Sequence, residues 1–344
     1  MARTLLVTGG AGFIGSNFVH WWLETRPDDR VVVLDALTYA GSLSNLAPVW
    51  DSPRLRFYPG RIQDDTVVRG IFLAERPTHL VNFAAESHND RSLLDPGSLI
   101  LTNVYGVNVL LEAARRHGIQ RFLHVSTDEV YGEREEGLFT EKDPLEPRTP
   151  YSAGKAGGDL QVRAHRIAFG TPAIITRGSN TYGPYQYPEK LLPFFITRLI
   201  DGRKVPLYGS GRQVRDWIHV RDHAAGIGWA LEHGEPGQIY NVGGGCERTN
   251  IEVTRRLLEL LGRPDSLIQR IEDPRGASHD KRYALDTSKL RALGWAPEVP
   301  FEEGLESTVR WYRENETWWR PIVESPEYQS FVHRYYGPYL GQDL

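Results

Sequence analysis

Short apolar runs alternate with longer amphipathic stretches through the first half of the chain. The runs are too uniformly apolar for strands with one face in solvent, which predicts a parallel sheet covered on both faces. The stretches between them have the length and spacing of helices, so the order predicts repeated strand–helix units. The predicted strands are 5–8, 31–34, 55–58, 79–83, 122–126 and 173–176, and the predicted helices are 13–25, 67–75, 99–117 and 152–169.

The pattern changes in the second half, where loops containing Pro and Gly precede predicted helices at 251–261 and 301–314. We therefore predict an α/β protein with a Rossmann-type doubly wound parallel sheet and a smaller mixed α/β domain. A predicted helix at 217–231 and a strand at 238–242 would return the chain to the first domain. The predicted first domain is 1–178 with 217–242, and the second is 179–216 with 243–344.

Composition excludes some classes of partner. The 344 residues include 40 basic and 44 acidic side chains, and a net charge of -4 gives no electrostatic reason to expect nucleic acid or an anionic membrane as partner. Cys246 is the single cysteine, which excludes an intrachain disulfide and agrees with a reducing compartment. The apolar stretch near the N-terminus ends at glycines and is too short to span a membrane. We predict a cytoplasmic protein.

A glycine-rich turn follows the first predicted strand and opens the first helix, with the sequence Gly9-Gly-Ala-Gly12-Phe-Ile-Gly15. Glycines allow a tight turn and let backbone N–H groups approach a pyrophosphate at a helix N-terminus. Asp35 ends the next strand, twenty residues after Gly15, where its carboxylate would accept hydrogen bonds from both ribose hydroxyls and repel a 2′-phosphate. This spacing predicts NAD as cofactor in preference to NADP.

Candidate chemistry lies at the end of the strand 122–126, in Thr127, Asp128 and Glu129, and on the next helix, in Tyr151 and Lys155. Tyrosine and lysine one helical turn apart suit redox chemistry at a hydroxyl, because a lysine ammonium and the positive nicotinamide ring favour the phenolate. Two adjacent carboxylic acids suit the removal of water. The blander interpretation is a polar strand end that caps a helix. Together the five residues predict a site that oxidises, dehydrates and reduces.

These residues resemble the extended short-chain dehydrogenase/reductase superfamily and, within it, most closely the dTDP-glucose 4,6-dehydratase family. The resemblance covers nearly the whole chain, and VSTDEVYG at 125–132 is its discriminating segment, since related epimerases lack the adjacent Asp and Glu. The other similar segments are 9–16, DALTYAG at 35–41, AAESHNDRS at 84–92, 151–156, SNTYGPYQYPEKL at 179–191, RDWIH at 215–219 and HDKRYALD from His279.

The resemblance implies a redox-neutral conversion of dTDP-D-glucose to dTDP-4-keto-6-deoxy-D-glucose and water, for deoxysugar biosynthesis. Tyr151 takes the proton of the C4 hydroxyl, with Thr127 hydrogen-bonded to the same oxygen, while NAD oxidises C4. Glu129 then removes the C5 proton, Asp128 protonates the departing C6 hydroxyl, and C6 is reduced. Asp128 must be protonated and Glu129 ionised, which two neighbouring carboxyls achieve because their like charges separate their titrations.

The resemblance also implies binding residues, with no metal ion. For single residues a structural role stays open, since an arginine beside a cleft can equally brace a carboxylate. His88, Asn89 and Arg91 are interpreted as organising their loop. The implied NAD contacts are Gly9, Gly12, Phe13, Ile14, Gly15, Asp35, Thr38, Ile62, Ala84, Tyr151 and Lys155. The implied contacts with the nucleotide sugar are Ser87, Asn180, Glu189, Lys190, Arg215, Asn250 and His279.

The chain departs from the family pattern where adenine is expected to bind. Gly60-Arg61-Ile62 stands where the family has Gly-Asp-Ile, and arginine offers no acceptor to the adenine amino group. Ala36 follows Asp35 where a lysine or serine is usual. The adenine contact, the choice between dTDP and UDP, and the final deoxysugar therefore stay open.

Two other functions stay open at this point: an NAD-dependent epimerase or decarboxylase of the same superfamily, and a catalytically silent NAD-binding subunit. The intact residues Thr127, Asp128, Glu129, Tyr151 and Lys155 argue against the silent subunit. The helices 99–117 and 152–169 have more apolar positions than one sheet face requires. By resemblance we expect them to pair in a homodimer as a four-helix bundle.

Overall fold

The computed structural model describes residues 2–89, 96–276 and 279–341. The strands are β1 Thr4–Thr8, β2 Arg30–Asp35, β3 Leu55–Pro59, β4 His79–Asn82, β5 Arg121–Thr127, β6 Ala173–Gly178, β7 Asn180–Tyr182, β8 Val205–Tyr208, β9 Val214–His219, β10 Ile239–Val242, β11 Glu247–Thr249 and β12 Ile268–Ile271. The α-helices are α1 Phe13–Thr25, α2 Asp65–Glu75, α3 Pro96–Arg116, α4 Pro150–Phe169, α5 Leu191–Ile200, α6 Val220–His233, α7 Asn250–Leu261, α8 Ser288–Arg291, α9 Phe301–Glu314, α10 Glu316–Val323 and α11 Pro326–Leu340.

Seven strands form one parallel sheet in the order β10-β6-β5-β4-β1-β2-β3. In its centre, Leu6 lies opposite Val32 on one side and Leu80 on the other, and all three are fully buried. Separate apolar cores cover the two faces, one with residues of α1 and α6 and the other with residues of α2 and α3. The predicted doubly wound Rossmann-type sheet is confirmed.

The boundaries of the predicted elements differ in places, most clearly around residue 217. The helix predicted for 217–231 is wrong at its start, because Val214–His219 is strand β9 and the helix begins at Val220. A short run such as Trp217-Ile218 fits either a strand or a helix, and pairing with β7 and β11 decides between them. The following strand β10 joins the large sheet beside β6.

The second lobe contains two small sheets, β11-β9-β7 and β12-β8. Helices α5, α7, α9, α10 and α11 enclose a further apolar core, in which Trp319 and Tyr312 are fully buried. The Trp319 indole donates to Tyr312 O at 2.7 Å, so this buried indole satisfies its polar atom. This lobe faces the carboxyl ends of the large sheet.

Helix α3 contains a π-helical segment, Leu101–Gly106, and packs against α4. Glycines of α4 allow close approach, since a Cβ on Gly158 would lie 2.6 Å from Asn103 O. By length and composition α3 could cross a membrane, but half of its apolar window is buried inside the protein. A packed core helix has the same composition, so α3 is no argument for a membrane.

Candidate active site

A single cleft lies between the carboxyl ends of the parallel strands and the second lobe. Its cavity volume is about 400 Å³, within the ~300–1,000 Å³ that is usual for a pocket that binds a small molecule. All the residues predicted to bind cofactor, to bind substrate or to catalyse line this cleft. The structure thus brings the predicted residues together, while their individual roles stay predictions.

The glycine-rich turn is closely packed at the start of α1. Gly9 has φ +71°, and a Cβ there would lie 2.6 Å from Ala84 N. A Cβ on Gly15 would lie 2.2 Å from Gly9 O. Larger residues would displace this backbone, so the glycines form a cradle at a helix N-terminus that suits a pyrophosphate.

Asp35 lies at the end of β2, beside that turn, with its carboxylate held by backbone donors. Oδ2 accepts from Ala11 N at 2.9 Å and Oδ1 accepts from Leu37 N at 2.8 Å. Burial raises the pKa of Asp35, and the two backbone N–H groups oppose that rise. Thr38 and Ile62 line the same end of the cleft, together with the exposed Arg61.

Thr127 ends β5 and caps the 3₁₀ turn Asp128–Tyr131. Its hydroxyl accepts from Glu129 N at 3.3 Å and donates to Asp128 Oδ1 at 3.1 Å. Asp128 is 2% exposed, and its Oδ2 has no hydrogen-bond partner within the described residues. Burial and then the charge of Glu129 raise the pKa of Asp128 well above its ordinary value. This environment favours a protonated Asp128 beside Glu129.

Helix α4 presents Tyr151 and Lys155 to the cleft from its first two turns. Burial raises the pKa of Tyr151, the Glu129 carboxylate raises it further, and a hydrogen bond with Thr127 opposes both. Burial lowers the pKa of Lys155 to about 8, although Asp159 acts in the opposite direction. The phenolate expected from the sequence is thus not favoured by the protein alone, because Glu129 and burial outweigh Thr127.

A buried charged pair lies directly behind Lys155. Arg177 Nε on β6 donates to Asp159 Oδ2 at 2.9 Å, and both side chains are at most 3% exposed. His124 on β5 lies 3.7 Å from the other oxygen of Asp159, and burial lowers the pKa of His124 well below its ordinary value. This group connects β5, β6 and α4 under the catalytic side of the cleft.

Arg215 and His279 lie in the second lobe. Arg215 is buried and donates from Nη1 to Val214 O at 2.7 Å and from Nη2 to Asp280 O at 2.8 Å. Its guanidinium also lies 4.5 Å from the centre of the Tyr283 ring. His279 Nδ1 is 2.5 Å from Asp273 Oδ2. The structural role left open for Arg215 therefore has support, because its guanidinium donates to backbone carbonyl oxygens. The same residue lines the cleft.

The remaining predicted substrate residues lie where the two lobes meet. Lys190 Nζ donates to Ser87 O at 2.8 Å, across the cleft. Asn250 begins α7, and its buried Oδ1 has no hydrogen-bond partner within the described residues, which leaves an acceptor for a ligand. Asn180 starts β7, and Glu189 is buried close to Lys190.

Some contacts in the cleft were not predicted as part of the site. Asn89, interpreted as organising its loop, donates from Nδ2 to Glu129 Oε2 at 2.7 Å. Tyr283 lines the cleft and hydrogen-bonds Asp280. Both lie in segments with family resemblance, AAESHNDRS and HDKRYALD, and this was the available signal. Arg91 lies outside the described residues, and no cluster of three His, Cys, Asp or Glu in the described ranges is arranged for a metal ion.

Comparison with known proteins supports one family. The sequence model of the GDP-mannose 4,6 dehydratase family matches residues 6–308. A dTDP-glucose 4,6-dehydratase of Actinoplanes sp. is 48% identical over 92% of this chain and 99% of its own. The low-salt glycan biosynthesis protein Agl12 of Haloferax volcanii is 51% identical over 90% of this chain and 98% of its own.

Among solved structures, DesIV, the dTDP-glucose 4,6-dehydratase of Streptomyces venezuelae, was determined with NAD bound. It superposes with a TM-score of 0.90, at 50% identity, and covers 93% of this chain and 99% of its own. Identity of this extent, together with adjacent acids beside a Tyr–Lys helix, identifies the chain as a member of the dTDP-glucose 4,6-dehydratase family.

Proposed function

We propose that the protein is an NAD-dependent dTDP-glucose 4,6-dehydratase, a hydro-lyase that converts dTDP-D-glucose to dTDP-4-keto-6-deoxy-D-glucose and water. The observation with most weight is the pair Asp128 and Glu129, placed at the end of β5 beside Tyr151. One acid of the pair is buried and favours its protonated form, as elimination requires. Relatives with the same named activity, at 46–49% identity, support the assignment.

The cleft fits NAD as resident cofactor. The cradle of Gly9, Gly12 and Gly15 suits its pyrophosphate, and the fixed carboxylate of Asp35 suits a ribose diol. Phe13, Ile14, Thr38, Ile62 and Ala84 would line its remaining surface. When bound, NAD supplies the redox chemistry, which is oxidation at C4 and later reduction at C6.

Tyr151 and Thr127 would hold the C4 oxygen of the sugar, since both line the cleft, one at the start of α4 and the other at the end of β5. Tyr151 takes the C4 hydroxyl proton as that carbon becomes a ketone. The protein alone favours the protonated phenol, so Tyr151 acts as base only after positive charge enters the cleft. The positive nicotinamide ring of bound NAD would supply that charge, beside the Lys155 side chain one helical turn from Tyr151.

Glu129 and Asp128 would then remove water. Glu129 takes the C5 proton, which the 4-ketone has acidified, and the C–H electron pair forms the C5–C6 double bond. The C6–O bond breaks, and Asp128 gives its proton to the leaving hydroxyl, which departs as water. Asp128 finishes ionised and Glu129 finishes neutral. Glu129 would return a solvent-exchanged proton to C5 when C6 is reduced, and the proton that Tyr151 took from the C4 hydroxyl would restore Asp128 by way of solvent.

The second lobe would bind the nucleotide diphosphate. Arg215 lies against Tyr283 in the cleft wall, where the unused edge of its guanidinium suits phosphate oxygens. Asn250 offers its buried acceptor to a sugar or base donor. The other proposed contacts are Ser87, Asn180, Glu189, Lys190 and His279.

Product analysis tests this function against the alternatives. Purified protein is incubated with dTDP-glucose in deuterated water, and the sugar nucleotide is analysed by mass spectrometry and NMR. A dehydratase removes one water, introduces deuterium at C5 and consumes no net NAD. Unchanged mass with inversion at C4 would establish an epimerase instead, and loss of carbon dioxide from a uronate would establish a decarboxylase.

We also propose a cytoplasmic homodimer formed through α3 and α4. Large apolar side chains are exposed on both helices, although each helix already packs against the other. Pairing of two such helix faces with a second copy would bury these side chains in a four-helix bundle. The exposed apolar residues are Ile100, Leu101 and Tyr105 on α3 and Leu160, Ile167 and Phe169 on α4.

A further inference from the structure

The proposed base Glu129 has one neutral side-chain donor, Asn89, in the loop after β4. Asn89 Nδ2 donates to Glu129 Oε2 at 2.7 Å. On the other side of the amide, Asn89 Oδ1 accepts from Thr149 Oγ1 at 3.0 Å. Thr149 is the N-cap of α4, the helix that bears Tyr151. The Asn89 amide thus connects Glu129, the proposed base of the elimination, to α4. That helix carries Tyr151, the proposed base of the oxidation.

The orientation of this amide follows from its neighbours, although amide oxygen and nitrogen are otherwise hard to distinguish. A carboxylate oxygen only accepts hydrogen bonds, so the NH₂ group must face Oε2 of an ionised Glu129. The amide oxygen then faces Thr149 Oγ1, which donates to it at 3.0 Å and accepts from Ser152 N at 3.1 Å. A flipped amide would place its oxygen against the carboxylate.

The loop around Asn89 is anchored to the second lobe. Lys190 Nζ donates to the carbonyl oxygen of Ser87 at 2.8 Å. The buried ring of His88 meets the edge of Phe331 with centroids 5.7 Å apart. Asn89 therefore follows an anchored segment, and its side chain reaches Glu129 from a fixed backbone.

A purely structural role does not account for the bond to Glu129. The N-cap of α4 is already satisfied by the reciprocal bonds of Thr149 and Ser152, which form a capping box. The amide oxygen of Asn89 alone would complete the contact with Thr149. Its NH₂ group is directed at the one carboxylate that the proposed mechanism requires to be ionised.

We propose that Asn89 is a positioning residue for the elimination step, holding Oε2 of Glu129 so that Oε1 faces the C5 proton; this rests on the function proposed above. Within the described residues, no hydrogen bond to Oε1 competes with substrate. Among the described residues, the ionisable groups that interact with Glu129 are Asp128, Tyr151, Asp280 and Tyr283. None of these four is a cation, so the Asn89 amide is the side-chain donor that orients the Glu129 carboxylate among them.

If Asn89 has this role, its replacement should slow the elimination without slowing the oxidation. Oxidation at C4 depends on Tyr151 and Thr127, and neither bonds to Asn89. Proton removal from C5 depends on the position of Glu129, and misplacing a catalytic group by about 1 Å can cost on the order of 100-fold in rate. Loss of the amide should therefore slow the elimination and leave the oxidation and the apparent KM near their original values.

The test compares Asn89→Leu and Asn89→Asp with the unaltered protein and with Asn315→Asp, a control outside the cleft that adds the same charge. Single turnovers with dTDP-glucose in deuterated water report C4 oxidation as bound NADH, and elimination as C5 deuterium and loss of water. Thermal melting of each variant checks that the fold is retained.

For Asn89→Leu we expect bound NADH to accumulate and water loss to slow roughly 10- to 100-fold. For Asn89→Asp the donor is replaced by a second carboxylate that repels Glu129, so water loss should slow at least as much as in Asn89→Leu. Asn315→Asp should leave both half-reactions and their pH profiles unchanged.

Elimination by Asn89→Leu at the original rate and pH profile would overturn the positioning role, and so would equal slowing of oxidation and elimination. Absence of water loss from the unaltered protein would reject the proposed dehydratase function itself. The two failures are therefore distinguishable in one set of measurements.

Discussion

Lys155 Nζ donates a hydrogen bond to the carbonyl oxygen of Val125 at 2.6 Å. Val125 belongs to β5, the strand that ends in Thr127, and Lys155 belongs to α4, the helix that presents Tyr151. This bond therefore fixes the distance between the helix and the strand that supply the proposed catalytic groups. Lys155 is buried, so its charge acts in a region of low dielectric constant.

Replacement of this lysine should change both activity and the pH dependence of stability. The pKa of Lys155 is about 8 in the folded protein, below its ordinary value of 10.5. Between these values the unfolded chain binds more protons than the folded one, so stability should rise with pH, by about 1.4 kcal/mol per unit at most. Lys155→Met should remove this rise and abolish C4 oxidation.

Urea unfolding of the NAD-free protein at several pH values between 7 and 10 measures the effect. The difference in unfolding free energy between Lys155→Met and the unaltered protein isolates this group from others that titrate in the range. If the unfolding free energies of the two proteins changed with pH in parallel, burial of the Lys155 ammonium would not cost stability.

Substitution of the two adjacent acids should stop the reaction at different points. Asp128→Asn cannot give a proton to the leaving hydroxyl, and general acid catalysis is worth typically ~10²- to 10⁴-fold. We expect that variant to oxidise C4 and accumulate bound NADH while water loss slows by that factor. Glu129→Gln should additionally lose deuterium exchange at C5.

Absorbance of bound NADH and mass spectrometry of the sugar nucleotide distinguish the two variants in single turnovers. Water loss by Asp128→Asn at the original rate would reassign the general acid. Deuterium exchange that survives in Glu129→Gln would reassign the base.

The sequence predicted the large sheet and the cleft far better than it predicted individual contacts. Uniformly apolar runs such as 31–34 define buried parallel strands, and glycines at 9, 12 and 15 define the turn at the start of α1. The sequence wrongly predicts a helix at Trp217-Ile218, because a short apolar run does not reveal its pairing partners. The ladder with β7 and β11 is a long-range property that no local pattern contains.

The site residues show the same difference between local patterns, which the sequence contains, and tertiary contacts, which it does not. Thr127 and Tyr151 were found from spacing, but the raised pKa of Tyr151 depends on burial and on Glu129, which belongs to another element. The bond from Asn89 to Glu129 joins residues forty positions apart and depends on the loop conformation. Such contacts are set by tertiary structure, which is why the interpretation of Asn89 as a loop organiser was incomplete.

The buried pair Asp159–Arg177 gives a prediction about stability. Both side chains are almost fully buried, so Arg177→Met would leave the Asp159 carboxylate without its hydrogen-bonded ion-pair partner and should cost about 3–5 kcal/mol. The guanidinium of Arg177 also lies 4.6 Å from the centre of the Tyr131 ring, and the same substitution would remove this cation–π interaction. Arg256→Met is a matched control, because Arg256 pairs with Glu259 and Glu302 at the exposed surface.

The exposed ion pairs of Arg256 should contribute at most about 1 kcal/mol to the free energy of unfolding. Chemical denaturation of both variants measures the difference in unfolding free energy. Equal losses in the two variants would mean that the Asp159 carboxylate becomes neutral or solvated when Arg177 is removed.

The proposed dimer predicts a position-specific effect of charge. Ile167 on α4 is 75% exposed, and Ile167→Lys would place an unpaired charge within the proposed four-helix bundle. Leu73 on α2 is 65% exposed outside these helices, so Leu73→Lys is the matched control. Sedimentation at micromolar concentration should show a monomer for Ile167→Lys and a dimer for Leu73→Lys. A monomer for the unaltered protein would reject the proposed dimer.

Gly15 and Gly70 test the cradle at the start of α1. A Cβ on Gly15 would lie 2.2 Å from Gly9 O, a backbone atom, whereas a Cβ on Gly70 in α2 meets no heavy atom within 4 Å. Gly15→Ala must therefore displace the turn that is proposed to hold the pyrophosphate. We expect NAD affinity to fall at least tenfold, about 1.4 kcal/mol.

Gly70→Ala should retain NAD affinity and stabilise α2 by up to about 1 kcal/mol, because alanine favours an exposed helix interior. Calorimetric titration with NAD and melting of the NAD-free proteins measure affinity and stability separately. A Gly15→Ala protein that melts normally and still binds NAD with unchanged affinity would show that the cofactor does not depend on this backbone conformation. If Gly15→Ala melts at a lower temperature in the absence of NAD, the substitution destabilises the fold itself. Gly12→Ala is then the milder test of the same cradle, because its Cβ would lie 3.3 Å from Gly9 O.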